Sequence, residues 1–359
     1  MAATSNRIPW WAWAWPVLAW VVLAGTILGF SGAITNVIAA AILIATVFAA
    51  VYHAEVIAHR TGEPFGTLVL ALAVTIIEAA LIVSVMLTAP AQSAGLARDT
   101  VFAAVMIVCN GIVGLCLLLG GARHHEQGFQ IAGASAALAV LAALTTLTLI
   151  FPNVVVVTPG PFFSTSQMIF AAIVSLVLYV GFVFIQTIRH RDYFLPADAS
   201  EDHAPPPPNI VALTSLALLI ASLVAIVVLA KFLTPAIETG IERASMPKAV
   251  VGIVIAALVL MPEGLSAVRA ARANRLQTSL NLALGSALAT IGLTIPAVAV
   301  VSIAIGQPLE LGLGAKDQVL LSLTLLLSVI TLGTGRTTVL QGIVHVVVFA
   351  AFLFFAIVP

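Results

Sequence analysis

Eleven apolar runs, each of about 20 residues, follow one another along this chain of 359 residues, with charges, glycines and prolines gathered between them. A helix of that length crosses the hydrocarbon core of a bilayer. The runs cover 14–31, 34–57, 66–88, 99–120, 130–151, 166–188, 210–233, 247–268, 279–303, 317–333 and 337–358. They do not alternate apolar and polar residues at every second position, which excludes a membrane β-barrel. Charged residues make up 8% and apolar residues 62% of the chain, whereas a soluble domain carries roughly 25% charged residues. The sequence therefore predicts an all-α polytopic membrane protein with the lipid bilayer as its surroundings. Lys+Arg 14 balances Asp+Glu 14, so no basic surface invites nucleic acid. An oligomer is compatible with the sequence, which does not specify one.

The two cysteines, Cys109 and Cys116, share one run. On a helix they stand roughly 10 Å apart along the axis, too far for a mutual disulfide, and they read as small core residues. Arg7 precedes Trp10, Trp11, Trp13 and Trp15 with no cleavage site, so the first span is expected to be retained. The tryptophans suit an interfacial belt or simple helix packing. The longest polar stretch, His190–Asn209, holds Asp192, Asp198, Glu201, Asp202 and Pro205–Pro208. Four consecutive prolines cannot continue a helix, so it is a linker that divides the spans into six and five. The domains expected are an extra N-terminal helix (1–33), a first five-helix repeat (34–189), the Pro-rich cytoplasmic linker (190–209) and a second five-helix repeat (210–359).

Placing the N-terminus inside puts Arg7, Arg60, Arg123, Arg189, Arg191, Arg269, Arg272, Arg275 and Arg336 on inner segments. Arg98, Lys231, Arg243, Lys248 and Lys316 then fall on outer ones. That excess predicts a cytoplasmic N-terminus and an external C-terminus, in the plasma (inner) membrane.

Spans 2–6 and 7–11 can be laid over each other. Glu55 precedes Pro64 by the same nine residues that separate Glu238 from Pro247, and Arg60 falls on Arg243. Each half continues with an apolar helix holding one carboxylate, Glu78 in the first and Glu263 in the second. The next helices align Asn110 with Ser286. A repeat of five spans, an odd number, must have copies of opposite topology, and inverted repeats with binding groups near the midplane mark secondary transporters.

Glu78 is the sole charge in the run Gly66–Thr88. An acid there costs about 2.5–3.5 kcal/mol on insertion scales. Glu263 follows Pro262, whose missing N–H releases a carbonyl of the preceding turn. Such backbone is tolerated at membrane depth only inside protein or beside water, and a carbonyl beside a carboxylate is a ligand set for a hard cation. No Lys or Arg lies in the central third of any span. Two buried carboxylates with no fixed counter-charge must be neutralised by mobile ions, either protons or a cation. Competition for one site that opens to alternate sides is cation/proton antiport.

Asn110 and Ser286 are expected to join the glutamates in binding the cation or proton. Thr75, Thr290 and Thr294 fit bonding to their own helices better. Glu55, Glu238 and His53 could serve as vestibule or relay groups near the membrane faces. His345 reads as a packing histidine. A membrane enzyme fits poorly. His53, Glu55 and His59 lack the zincin spacing, in which the histidines are four apart with Glu beside the first, and no Gly-x-Ser-x-Gly occurs. A channel using the same carboxylates would differ by lacking obligatory proton coupling. No cofactor is expected.

Two segments carry a family resemblance. One is Gly62-Glu63-Pro64-Phe65-Gly66-Thr67-Leu68 through Thr75-Ile76-Ile77-Glu78. The other, more specific, runs from Pro262-Glu263-Gly264 through Arg269-Ala270-Ala271-Arg272-Ala273-Asn274 to Leu284-Gly285-Ser286-Ala287-Leu288-Ala289-Thr290-Ile291-Gly292-Leu293-Thr294-Ile295-Pro296. They resemble ChaA-type calcium/proton antiporters, in the cation/proton exchanger branch of the Ca2+:cation antiporter superfamily. The resemblance implies eleven helices: one extra helix plus two inverted five-helix repeats, with the cation held by one glutamate of each, here Glu78 and Glu263. A Gly-Ser signature is matched by Gly285-Ser286 and more loosely by Cys109-Asn110. The common Gly-Asn-Ala pattern before each glutamate is replaced by Val74-Thr75-Ile76-Ile77 and Leu260-Met261-Pro262. The family's acidic helix between the halves is reduced to Asp198–Asp202. Family members exchange Ca2+, Na+ or K+ for H+. Two acids favour Ca2+ on charge matching, with Na+ or K+ as the alternative cargo.

Overall fold

The computed structural model describes residues 8–30, 32–62, 65–88, 94–195, 206–243, 247 and 249–358, without the side chains of 65–68, 70, 71, 88, 238, 241 and 242. It is an all-α polytopic membrane protein. The helices are α1 (Trp10–Ile27), α2 (Ala33–Thr61), α3 (Phe65–Thr88), α4 (Leu96–His124), α5 (Ile131–Asn153) and α6 (Thr165–Arg189). After the linker come α7 (Asn209–Arg243), α8 (Ala249–Arg272), α9 (Leu276–Ile305), α10 (Ala315–Leu332) and α11 (Val339–Ile357). Ten of them are long and apolar enough to cross a membrane, and α3 adds the apolar stretch Leu72–Leu87.

Each expected span has its helix, with differences that have local causes. α1 begins at Trp10, directly after Pro9, and ends at Ile27, where the chain turns through Gly29 at φ +95°. The expected span was shifted toward the C-terminus because the Trp-rich stretch is as much helix as anchor. α7 runs on to Arg243 through Pro235, which sits inside the helix. α4, α5 and α6 each include a π-helical segment, at Ile107–Ile112, Thr146–Ile150 and Ile185–Arg189. These extra residues per turn leave no apolar-pattern signature. Helix starts carry familiar chemistry. Ser164 and Gln167 form a capping box at α6, and Thr338 and Gln341 form another at α11; each box satisfies amide donors that the first turn leaves over. α9 closes on Gly306 in the left-handed region, where a residue without Cβ carries no steric penalty.

The chain forms two compact units, each assembled from both halves of the sequence. The first holds α1, α2, α3 and α7, with α2 packed against the other three. Pro16 sits inside α1 and cannot donate to the carbonyl of Ala12. That carbonyl instead meets His53 Nε2 of α2 at 3.0 Å. Thr46 bonds the carbonyl of Ile42 in its own helix at 2.7 Å and lies 3.3 Å from that of Trp15. Trp20 Nε1 donates to Ala221 O of α7 at 3.2 Å. Trp11 meets Tyr52 edge to face, while Trp10 and Trp13 are exposed. The aromatic cluster thus divides between packing and the outer surface.

The second unit holds α4–α6 and α8–α11. α9 packs against α4, α5, α6 and α8, and α4 packs against α8 and α11. Small residues bring these helices close, as in many membrane bundles. A Cβ on Gly342 of α11 would lie 2.6 Å from Leu118 Cα, and one on Gly114 would lie 2.9 Å from His345 Cβ. Gln127–Gly128 pairs antiparallel with Arg336–Thr337, joining the α4–α5 and α10–α11 turns. Gln127 Nε2 also donates to Ala271 O and Asn274 Oδ1, each at 2.9 Å, tying the α8–α9 turn to the same end. At the opposite ends of α4 and α8, Arg98 pairs with Asp99 at 2.7 Å and with Glu310. Cys109 and Cys116 are buried free thiols. Beyond α6, Arg191–Phe194 makes one 3₁₀ turn with Phe194 buried. The acidic stretch Asp198–Asp202 and Pro205 lie outside the described residues.

Candidate cation site

In the second unit, α8 delivers Glu263 to the interior at 4% exposure. Pro262 precedes it inside the helix and leaves the Leu258 carbonyl without its regular donor. Ser286 Oγ of α9 donates to Glu263 Oε2. Two of the residues singled out from the sequence are thereby brought together on adjacent helices. None of the ion pairs among the described residues includes Glu263. On the next residue, Gly264, an added Cβ would lie 3.1 Å from Ile112 Cδ1, so the π-helical part of α4 packs against α8 at the turn that carries Glu263.

α9 extends the polar surface. Thr290 and Thr294 follow Ser286 at intervals of four, and all three are buried. On α5, by contrast, Thr145 and Thr148 return their hydroxyls to the carbonyl four residues back at 2.8 and 2.7 Å. Thr294 Oγ1 has no hydrogen-bond partner among the described residues. Pro296 sits inside α9 and frees the Gly292 carbonyl in the same stretch. A carboxylate, hydroxyls and released carbonyls are the oxygen donors that hard cations take. Tyr179 of α6, which sequence reasoning passed over, packs so closely on Gly292 that a Cβ there would lie 2.7 Å from its own Cβ.

Asn110 has different neighbours. It lies in the π-helical segment of α4, fully buried. Its Nδ2 donates to Thr324 Oγ1 of α10 at 2.8 Å, and its Oδ1 lies 3.0 Å from His345 Nδ1 of α11. His345 Nε2 lies 3.1 Å from Thr331 Oγ1. His345 is therefore bonded through both ring nitrogens. Neither Thr324 nor Thr331 announces this role in the sequence, since both sit in an apolar run among other hydroxyls.

In the first unit, Glu78 sits halfway along α3 at 1% exposure, with Thr75 buried one turn before it. His53 is buried in the seam of α1 and α2 on the Ala12 carbonyl, whereas Glu55 is exposed on α2. The side chain of Glu238 lies outside the described residues. No cluster of three or more His, Cys, Asp or Glu suited to a resident metal occurs among the described residues.

Membrane helices that carry acids into their interior, one of them at a proline-broken turn, define an ion-transporting membrane protein rather than an enzyme. Comparison places it more narrowly: the chain belongs to the sodium/calcium exchanger protein family, which it matches over residues 31–188 and 214–358. It is 48% identical to y4hA of Sinorhizobium fredii, named as an ionic transporter, over 99% of this chain and 98% of that one. It is 38% identical to the sodium-potassium/proton antiporter ChaA of Escherichia coli, covering 94% and 93%. Among solved structures it resembles native YfkE, with a TM-score of 0.73, 17% identity and coverage of 97% and 100%. It also resembles the H+/Ca2+ exchanger CAX, with a TM-score of 0.71, 14% identity and coverage of 96% and 87%. These two likenesses concern the fold.

Proposed function

We propose that this protein exchanges a cation for protons across the membrane, with Glu263 and Glu78 bound in turn by the cation and by protons. The observation that carries the reading is Glu263, buried at a proline-broken turn of α8, bonded by Ser286 and in no ion pair among the described residues. A buried carboxylate without a fixed counter-ion is costly, so a mobile positive charge must complete the site. Glu78, equally buried in the middle of α3, is the corresponding acid of the first half. Ser286 and the oxygens of α9 support the cation, and Asn110 shapes the wall formed by α4. Glu55, Glu238 and His53 are read as vestibule or relay groups outside the binding set.

Ca2+ is the leading cargo, since two carboxylates match a divalent charge. Na+ or K+ is the second reading, favoured by the name of the Escherichia coli relative. The two halves, 34–189 and 210–359, are read as inverted repeats after an extra first helix. The arginines at the α8–α9 turn, Arg269, Arg272 and Arg275, support a cytoplasmic N-terminus in the plasma membrane. The test is purified protein in proteoliposomes under an imposed pH gradient, offered Ca2+, Na+, K+ and Mn2+ separately. Uptake of at least one cation with matching proton movement, lost in Glu263→Gln and Glu78→Gln, is expected. Cation flux indifferent to the proton gradient, or intact in both variants, would contradict it.

A further inference from the structure

The buried group least explained by the proposed site is His345, which lies on α11 and touches neither Glu263 nor Ser286. Its ring also makes a hydrogen bond to the backbone of Cys109, in the α4 segment that holds Asn110, and the bonds among the side chains around it have one consistent direction. Thr324 Oγ1 donates to the Leu320 carbonyl at 2.8 Å and so accepts from Asn110 Nδ2 at 2.8 Å. The Asn110 oxygen is then the atom that faces His345, and the ring must supply a donor at Nδ1. Nε2 is left to accept from the Thr331 hydroxyl. All four side chains are buried, so each bond is made without competition from water.

What this chain of bonds holds is a weak point of α4. Asn110 sits inside the π-helical segment Ile107–Ile112, where the regular ladder is interrupted, and such insertions persist only when their surroundings fix them. The segment packs on both α8 and α9, the helices of Glu263 and Ser286, and its Ile112 fills the space beside Gly264. α11 is a firm base for the bond, because His345 Cβ stands against Gly114 and the α11 backbone against Leu118.

We propose that His345 is a positioning residue: through Asn110 it fixes the π-helical wall of α4 and so sets the cation affinity of the Glu263–Ser286 pair. This rests on the site proposed above; a group bonded directly to an ion's ligand changes affinity by about tenfold or more, and His345, acting through Asn110 and the α4 wall, is expected at the lower end of that range.

Substitution of the ring tests this by chemistry rather than by size. Asparagine can place an N–H near the position of Nδ1, whereas glutamine reaches only the position of Nε2. Affinity is read twice: as the cation concentration giving half-maximal thermal stabilisation of purified protein, and as the half-saturating concentration for transport. His345→Asn is expected to stay within about threefold of wild type, while His345→Ala and His345→Gln weaken affinity about tenfold with maximal rate per folded protein little changed. Thr324→Val, which takes the acceptor from Asn110 Nδ2, is expected to weaken affinity in the same direction and decides the matter if His345→Ala does not fold. Unchanged affinity in His345→Ala or Thr324→Val, or glutamine outperforming asparagine, would overturn the proposal, since the latter is the order that packing volume alone gives. A wild-type protein that binds no cation would instead remove the site itself, and this inference with it.

Discussion

Pro16 and His53 make a prediction that can be worked through quantitatively. Pro16 leaves the Ala12 carbonyl without its helix donor, and His53 Nε2 supplies one at 3.0 Å inside the α1–α2 seam. His53→Ala removes that donor and leaves the carbonyl buried, at a cost of about 1–3 kcal/mol for the unsatisfied group. Lost packing of the ring, which also meets Tyr52 edge to face, adds to this. Pro16→Ala restores an amide at position 16, which can bond Ala12 O in the ordinary way. The His53→Ala penalty should therefore shrink by about 1–2 kcal/mol in the Pro16→Ala background, a coupling of the size neighbouring groups show. The assay is reversible unfolding of the four proteins of the double-mutant cycle in mixed micelles, with transport measured alongside. Transport per folded protein should be little altered, because the bond of the histidine is to a backbone carbonyl. Equal penalties in both backgrounds would refute the carbonyl argument, and loss of transport at full stability would make the histidine a relay.

Other consequences can be checked with single variants. If cation and protons compete for the two carboxylates as proposed, apparent cation affinity should weaken as pH falls, by up to about tenfold per pH unit for each proton displaced, by mass action; a pH-independent half-saturating concentration would refute competition. Ser286→Ala removes the donor to Glu263 and should change cation affinity by about tenfold, in line with about 1.5 kcal/mol or more for a bond to a charged group, and Ser286→Thr should retain most of it. Gly342→Leu forces side-chain atoms into the backbone of Leu118 and should lower yield and stability by more than the 1–3 kcal/mol, roughly, of ordinary overpacking, read by fluorescence-detected size exclusion. Arg98→Gln leaves Asp99 and Glu310 facing each other without their shared cation and should destabilise modestly, by about 1–2 kcal/mol at these half-buried positions, with recovery in Arg98→Lys.

The spans were legible because bilayer thickness imposes one length on every crossing, and apolar run length reads it directly. The pairing of Glu263 with Ser286 was legible for a related reason: a carboxylate inside an apolar run is too costly to be incidental, and laying the two halves of the sequence over each other drew attention to the hydroxyl of Ser286 on the following helix. Other features depend on information that single positions do not carry. The π-helical segments shift which face Asn110 presents, and the insertion of one residue into a helical turn leaves the apolar pattern intact. The partners of Asn110, on α10 and α11, are more than two hundred residues away in sequence. The proline in α1 could have signalled an orphan carbonyl, but not that a histidine on α2 would answer it. The start of α1 was misplaced because Trp10 to Trp15 serve a helix and an interface at once, and the seventh span, expected over 210–233, runs on through Pro235 to Arg243.

Proton release on cation binding tests the central claim most directly. Purified protein in weakly buffered detergent is mixed with Ca2+, Na+ or K+, and the protons set free are counted with a pH indicator. Competition at the buried glutamates predicts release that saturates with the cation, diminishes in Glu263→Gln and reverses when the cation is chelated or diluted away. Saturable binding of a cation with no proton release at any pH, or release undiminished in Glu263→Gln, would contradict the account.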